Sequence, residues 1–333
     1  MSFALVLLAL LLVGIWVLSP PDRLPGRFTQ GDCRTMALTG PDGAPIVGIE
    51  DIALIADTGE LILSAHDRSD PLADGGLYRV TLFELGAGDE LEVERISPIP
   101  DPGTRFRPHG IAVSPAGDRL ALVNRTGEGE AQVEIGALTP EGWELDRKLT
   151  GETLCRANDL AFTGGLNDTM VISLDRADCT TSLRDLWPGA STGRIARFDG
   201  QRLVISRGRL SFPNGLVGPY IAETRADRVL RPGAAPIMLP GGPDNLSLDQ
   251  EDNLIAAVHP APVHLWLYLN DWQERAPSRI LRINPVTSEI ESLFDDPSGQ
   301  IFSAATSAIM WDEMLVAGSV RDAGLLVCSK DAL

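Results

Sequence analysis

Between Pro243 and His259 the chain reads PDNLSLDQEDNLIAAVH. Polar and apolar positions alternate from Leu246 to Asp249, Glu251-Asp252 offers a turn, and an apolar run from Leu254 to Val258 ends on a histidine. Alternation, turn and apolar run predict a β-hairpin with Asp244 and His259 facing each other at its open end. The pattern recurs from Glu50 to His66 with a turn near Thr58, from His109 to Arg125 with a turn near Gly117, and from Asn158 to Arg176 with a turn near Asn167. A degenerate copy starts at Asn214 and a last one at Ser303. Six copies, mostly about 30 to 60 residues apart, predict an all-β, radially repeated fold: a six-bladed β-propeller with about 50 residues per blade. The first strand of each blade lines the central channel, so the polar residues that open the copies converge at one mouth.

Ahead of the hairpins, Phe3 to Leu18 carries no charge. About 16 helical residues span about 24 Å, slightly short of a hydrocarbon core of about 30 Å. No basic residue precedes the run, and Leu18-Ser19-Pro20-Pro21 is a poor cleavage site, which favours an uncleaved signal-anchor helix over a removed signal peptide. Residues 1–27 therefore read as an N-terminal hydrophobic helix and linker that bind the membrane, and 28–333 as the propeller. Arg23 and Arg27 on the far flank favour a cytoplasmic body; the cysteines argue otherwise. There are four. Cys33 and Cys328 sit at the two ends of a ring that must close, and a bond between them locks that closure, worth about 5 kcal/mol for so long a loop in the entropy model. Cys155 and Cys179 flank the turn near Asn167 and are either bonded or buried thiols. A closing disulfide belongs in an oxidising compartment, which places the body outside the cytoplasm.

Composition narrows the function classes. Hydrophobic residues make up 44% of the 333, enough for a core, and 33 glycines with 24 prolines suit a turn-rich β protein. A formal net charge of -18, with no basic stretch, excludes nucleic acid as a natural partner and suits a chain that binds cations. Two other stretches stand out. Cys179 to Thr192 is a connection with an apolar tip at Leu186 and Trp187. Ala261 to Trp272 is aromatic-rich and follows His259 directly, so it walls a pocket, touches the membrane or packs on the rim.

The residues opening the copies are Glu50-Asp51, His109, Asn158-Asp159, Asn214 and Asp244-Asn245. Almost all are hard oxygen donors, which suit calcium rather than zinc. Strand alternation sends neighbours opposite ways, so Glu50 and Asn158 face one cation site while Asp51 and Asp159 face a deeper one. No G-x-S-x-G elbow supplies a serine nucleophile.

GIEDIALIADTGEL, RPHGIAVSP, LVN at Leu122 to Asn124, AND at Ala157 to Asp159, FPNG at Phe212 to Gly215, PDNLSLD and AVHP follow in order across residues 33 to 328. In that ordered set the chain resembles the paraoxonase (arylesterase and lactonase) family of six-bladed propellers with two calcium ions in the channel. The resemblance implies that Glu50, Asn158, Asn214, Asp244 and Asn245 bind a catalytic calcium. Asp51, Asp159 and the Ile111 carbonyl bind a structural one, and Cys33 and Cys328 match the family's closing disulfide. It casts His109 as general base, with Glu50 and Asn245 catalytic through the ion. His259, His66 and Arg125 are placed at the substrate pocket. The implied reaction is calcium-assisted hydrolysis of a lactone or aryl ester, with calcium holding the carbonyl oxygen. The alternatives are a gluconolactonase-like sugar lactonase with one metal and a calcium-stabilised binding propeller without turnover. Two departures matter. Arg125 stands where the family has a second histidine, and an arginine relays no proton at neutral pH; either His109 works alone or Arg125 orients an anionic substrate. The connection around Leu183 to Trp187 is also shorter than the family's.

Overall fold

The computed structural model describes residues 19–330 except 71, 87, 102–103, 128, 165–167, 181–184 and 186–188. The hydrophobic run Phe3 to Leu18, the turn at Asn167 and the tip at Leu186 and Trp187 lie outside the described residues. Among the described residues no helix is long and apolar enough to cross a membrane.

Six antiparallel sheets form the six blades. Blade 1 runs Ile49–Ile55, Glu60–Ala65, Gly76–Thr81 and Glu94–Arg95; blade 2 Pro108–Val113, Arg119–Gly127, Glu130–Thr139 and Gly142–Leu149; blade 3 Ala157–Phe162, Met170–Leu174, Gly193–Phe198 and Leu203–Leu210. Blade 4 runs Pro213–Val217, Tyr220–Glu223, Arg228–Leu230 and Ile237–Met238, and blade 5 Gly242–Leu248, Leu254–His259, Ser278–Ile283 and Ile290–Asp296. Blade 6 closes the ring: Ala305–Trp311, Met314–Ser319 and Leu325–Ser329 come from the C-terminal end, Cys33–Thr39 from the other, and Glu90–Glu92 adds a parallel edge. Every anticipated hairpin is therefore the inner half of a blade.

The closure is covalent. Cys33 pairs directly with Cys328 across the two ends, and the cysteines form a disulfide with Cα atoms 4.0 Å apart over 295 residues of sequence. Cys155 and Cys179 are also bonded, which settles the open pair at blade 3. Two disulfides imply an oxidising, extracytoplasmic setting for this body. The stretch before blade 6 is not a loose linker either. The amides of Arg27 and Phe28 donate to Ser292 and Leu293 on the edge of blade 5, at 2.8 and 2.9 Å, and Phe28 is buried.

Between blades, alternate strand residues interdigitate. Met36, Leu38, Ile52, Leu63 and Ile309 fill the seam between blades 6 and 1; Val123, Leu160, Ile172 and Phe198 fill that between blades 2 and 3. Burying each such side chain stabilises the ring by about 1.5–3 kcal/mol.

The inner strands depart from simple alternation. All six carry a register shift at the same level: Ile49/Asp51, Pro108/Ile111, Ala157/Leu160, Pro213/Leu216, Pro243/Leu246 and Ala305/Ser307. A β-bulge turns side chains out of the pleat, so bulging, rather than the alternation expected from sequence, aims Glu50, His109, Asn158, Asn214, Asp244 and Thr306 at the channel. The next position alternates around the ring: Asp51, Gly110, Asp159, Gly215, Asn245, Ser307. Inner strands touch there. A Cβ on Gly110 would lie 2.5 Å from the Asp159 Cα, and one on Gly215 would lie 2.5 Å from the Asp244 carbonyl oxygen. The His-Gly and Asn-Gly pairs are thus required by close approach.

Two outcomes test this architecture. Replacing both Cys33 and Cys328 by serine should lower unfolding stability by up to about 5 kcal/mol, read as a lower urea midpoint. Gly215→Ala should destabilise by about 1–3 kcal/mol through overpacking, whereas Gly233→Ala, with open space around it, loses only what its left-handed backbone costs.

Candidate metal and active site

The bulged residues form two levels. The outer holds Glu50, His109, Asn158, Asn214 and Asp244, all under 8% exposed. The inner holds Asp51 and Asp159, which also face a cavity of about 570 Å³ at the other end of the channel, walled by Leu54, Val113, Phe162, Val217 and Trp311. One oxygen of each inner aspartate is anchored by a neighbouring blade: the Ile111 amide donates to Asp51 at 2.7 Å and the Leu216 amide to Asp159 at 2.6 Å. For Ile111, expected to contribute its carbonyl, the contact seen is thus its N–H. At the outer level the Asn245 amide donates to the Glu50 carbonyl at 3.0 Å and to its carboxylate at 3.3 Å, while the Asn214 amide donates to Asp244. Asp244 also meets His259 Nε2 at 2.7 Å, the pairing the hairpin predicts.

What remains is a set of oxygens with no protein partner. Glu50 Oε2, Asn158 Oδ1, Asp159 Oδ1, Asn214 Oδ1 and Asn245 Oδ1 are all buried and unbonded. Buried polar atoms are ordinarily satisfied. Among the described residues no group of three or more histidine, cysteine or carboxylate side chains is arranged to hold a metal alone; three of the five free oxygens belong to asparagine amides. Hard, mixed carboxylate and amide oxygens are the donor set of calcium, and these residues fit it.

The electrostatics agree. Burial, and then the charge of Asp244, push the Glu50 carboxyl up to about 7. Asp51 is raised well above its usual range by burial and by Asp159 and Glu50; Asp159 is raised the same way, burial leading. Arg68 and Arg125 offset only part of the rise at Glu50, and no cation is among the causes acting on Asp51 or Asp159.

His109 holds an unexpected partner. Arg68, on the segment after blade 1's second strand, places Nη2 2.9 Å from His109 Nδ1. His109 Nε2 lies 3.5 Å from Glu50 Oε1. Burial first, then Arg125 and Arg68, hold the His109 pKa well below its ordinary value. Arg125 itself does not bond to His109. It reaches from blade 2 to blade 3, donating to the Ala157 carbonyl at 3.2 and 3.3 Å and lying 3.7 Å from Asp175, a carboxylate also gripped by Arg156 at 2.9 Å. His66, placed by sequence at the pocket, lines a separate cavity of about 260 Å³ with Tyr78 and Arg95; burial and then Arg68 lower its pKa to about 4.

His259 opens onto a cavity of about 520 Å³ shared with Thr224, Arg225, Val263, Leu265 and Trp266. Its wall is the helix Pro262–Leu269, started by proline at its first position. The aromatic stretch does two of the three things expected of it: Val263, Leu265 and Trp266 wall the cavity, while Tyr268 and Leu265 pack against Ala276, Ala304 and Val320. Trp266 and Trp272, 52% and 72% exposed, meet edge to face at its rim.

No family model matches the chain, and no curated protein matches it in sequence. Solved structures match in fold. A luciferin-regenerating enzyme aligns with TM-score 0.51 and 13% identity over 86% of this chain and 96% of its own. A protein provisionally described as a gluconolactonase aligns with TM-score 0.53 and 14% identity over 94% and 98%. A calcium-binding protein, regucalcin, from Agrobacterium tumefaciens aligns with TM-score 0.50 and 14% identity over 88% and 95%. At such identities the shared feature is the six-bladed propeller.

The raised carboxyls set a pH test. They hold protons more tightly folded than unfolded, so their contribution is complete below the unfolded value and is lost as pH rises through about 7. For Glu50 alone the loss is about 3 kcal/mol. In chelator, Tm should fall from pH 5 to pH 8; millimolar calcium should raise it, and more at pH 8 than at pH 5.

Proposed function

We propose that this protein is a calcium-dependent hydrolase of carboxylic esters, with lactones as its preferred class and aryl esters as further substrates. The observation that carries this reading is the set of buried, unbonded oxygens on Glu50, Asn158, Asn214 and Asn245, gathered beside His109 at a mouth that adjoins an apolar-walled cavity. In this reading Glu50, Asn158, Asn214, Asp244 and Asn245 hold a catalytic calcium, and Asp51, Asp159 and the Ile111 carbonyl a structural one. Calcium supplies Lewis-acid polarisation of a carbonyl. Asn245 and Asn214 orient the carboxylates of Glu50 and Asp244 through their amide groups, and His259 fixes Asp244 from the cavity side. His109 works through Nε2, either taking a proton from the attacking water or donating its N–H to a reacting oxygen. The reaction adds one water across the acyl–oxygen bond, giving a hydroxy acid from a lactone, or a carboxylic acid and a phenol from an aryl ester. The resemblance to paraoxonases supports this assignment. So do the fold neighbours described as a gluconolactonase and as a calcium-binding protein.

Those same neighbours favour a second reading, a sugar lactonase with a single metal. The anchored pair Asp51 and Asp159 separates the two, since a single-metal enzyme has no use for an inner acidic level. We further assign the N-terminal hydrophobic run as a membrane anchor with the propeller outside the cytoplasm, a placement the two disulfides support.

A panel of lactones and aryl esters, assayed with and without chelator, tests the proposal. Asn245→Ala or Glu50→Ala should abolish hydrolysis, and His109→Gln should lower kcat by about 100-fold, the usual size of such a contribution. Variants at Asn245 and Glu50 that hydrolyse the whole panel at the parental rate would refute it.

A further inference from the structure

Arg68 is absent from every hairpin motif, yet it is built into the mouth by four hydrogen bonds. Its Nη1 donates to three backbone carbonyls, of Gly48 and His66 at 3.1 Å and Val320 at 3.4 Å, so the guanidinium is clamped where blades 6 and 1 meet. The remaining edge is spent on His109 Nδ1, at 2.9 Å. Among the described residues no carboxylate lies within 4 Å of it, so its position is set by those acceptors and not by an ion pair.

A guanidinium has five N–H donors and no acceptor, and it stays protonated. His109 Nδ1 must therefore accept. An imidazole that accepts at one nitrogen is neutral and carries its proton on the other. The Nε2–H is then the group facing Glu50 Oε1 and the channel. The main chain that carries the ring is held as well, because Ser64 Oγ donates to the His109 backbone carbonyl at 2.6 Å.

We propose that Arg68 is a positioning residue that locks His109 as the neutral Nε2–H tautomer, so that His109 serves the reaction as a hydrogen-bond donor to the substrate's reacting oxygen. This rests on the hydrolase reading for its consequence, but not for its geometry. A neutral imidazole donor polarises an oxygen without leaving a charged acid beside the site. It also removes the need for a second histidine: the orienting partner of His109 comes from blade 1, and Arg125, in the next sequence position that invited comparison, is engaged elsewhere.

Nitrogen NMR of the full chain with ¹⁵N-labelled imidazoles reads the tautomer directly. The chain has four histidines, and the signal lost in His109→Gln assigns the ring. The expected result is a neutral ring protonated at Nε2, in calcium and in chelator alike. In Arg68→Met the two tautomers should mix, and Arg68→Lys, which keeps a donor, should restore the single form. A proton on Nδ1, or a fully protonated ring in the parent protein, would overturn the proposal whether or not any ester is hydrolysed. If the Nε2–H form is found in the parent but persists unchanged in folded Arg68→Met, the positioning role is likewise overturned. Where lactone turnover is present, Arg68→Met should lower kcat about 10–100-fold, the usual effect of losing an orienting partner, with KM little changed. Failure of all turnover with the tautomer as stated would overturn the hydrolase reading alone.

Discussion

Five buried oxygens without a protein partner are a costly feature concentrated on one axis, and the rest of the fold is arranged to keep them together. At about 1–3 kcal/mol for each unsatisfied group, the set rivals the whole net stability of a domain, about 5–15 kcal/mol. A chain does not bring Glu50, Asn158, Asp159, Asn214 and Asn245 to one axis by accident of packing. Six bulges at one level aim them inward, glycines at 110 and 215 let neighbouring strands approach, and a disulfide between Cys33 and Cys328 stops the ring from opening. A divalent cation, as proposed, would resolve the conflict by giving each oxygen a partner and the carboxylates a counter-charge.

The arginines around this centre make sense on the same terms. In a chain with 46 acidic and 28 basic residues, Arg68 and Arg125 sit close enough to Glu50 to oppose the rise of its pKa. Neither is an ordinary ion-pair arginine. Arg68 is seated by backbone carbonyls, and Arg125 shares Asp175 with Arg156. They hold the mouth together across the seams between blades 6, 1, 2 and 3 and keep His109 uncharged. The apolar helix Pro262–Leu269 then completes a cavity beside His259.

The inner half of every blade was legible in the sequence because each is a local hairpin, with alternation, turn and apolar run within about 17 residues. Asp244 and His259 could be paired from the turn at 251 alone. The outer strands were less legible. Arg228–Leu230 and Ile237–Met238 are too short to show a period, and Cys33–Thr39 finds its partners some 295 residues away. The bulges were hidden for a similar reason, since a register shift depends on the neighbouring strand and leaves no periodic mark. Arg68 was missed because its contacts are to backbone carbonyls and to a histidine in another blade. A signal did exist: Arg176, Arg225 and Arg321 also lie just past the second strand of their blades. The N-terminal hydrophobic run and the tip at Leu186 and Trp187 lie outside the described residues and stay with the sequence reading alone.

The central claim is that the channel oxygens are calcium ligands. Calorimetric titration of calcium into chelator-treated protein tests it most directly, with Asn158→Ala as the paired sample. The account predicts saturable binding that Asn158→Ala weakens by at least tenfold, about 1.4 kcal/mol, while magnesium binds far more weakly because a wide, amide-rich site does not offer it a compact octahedron. No calcium binding, or binding indifferent to Asn158, would contradict it.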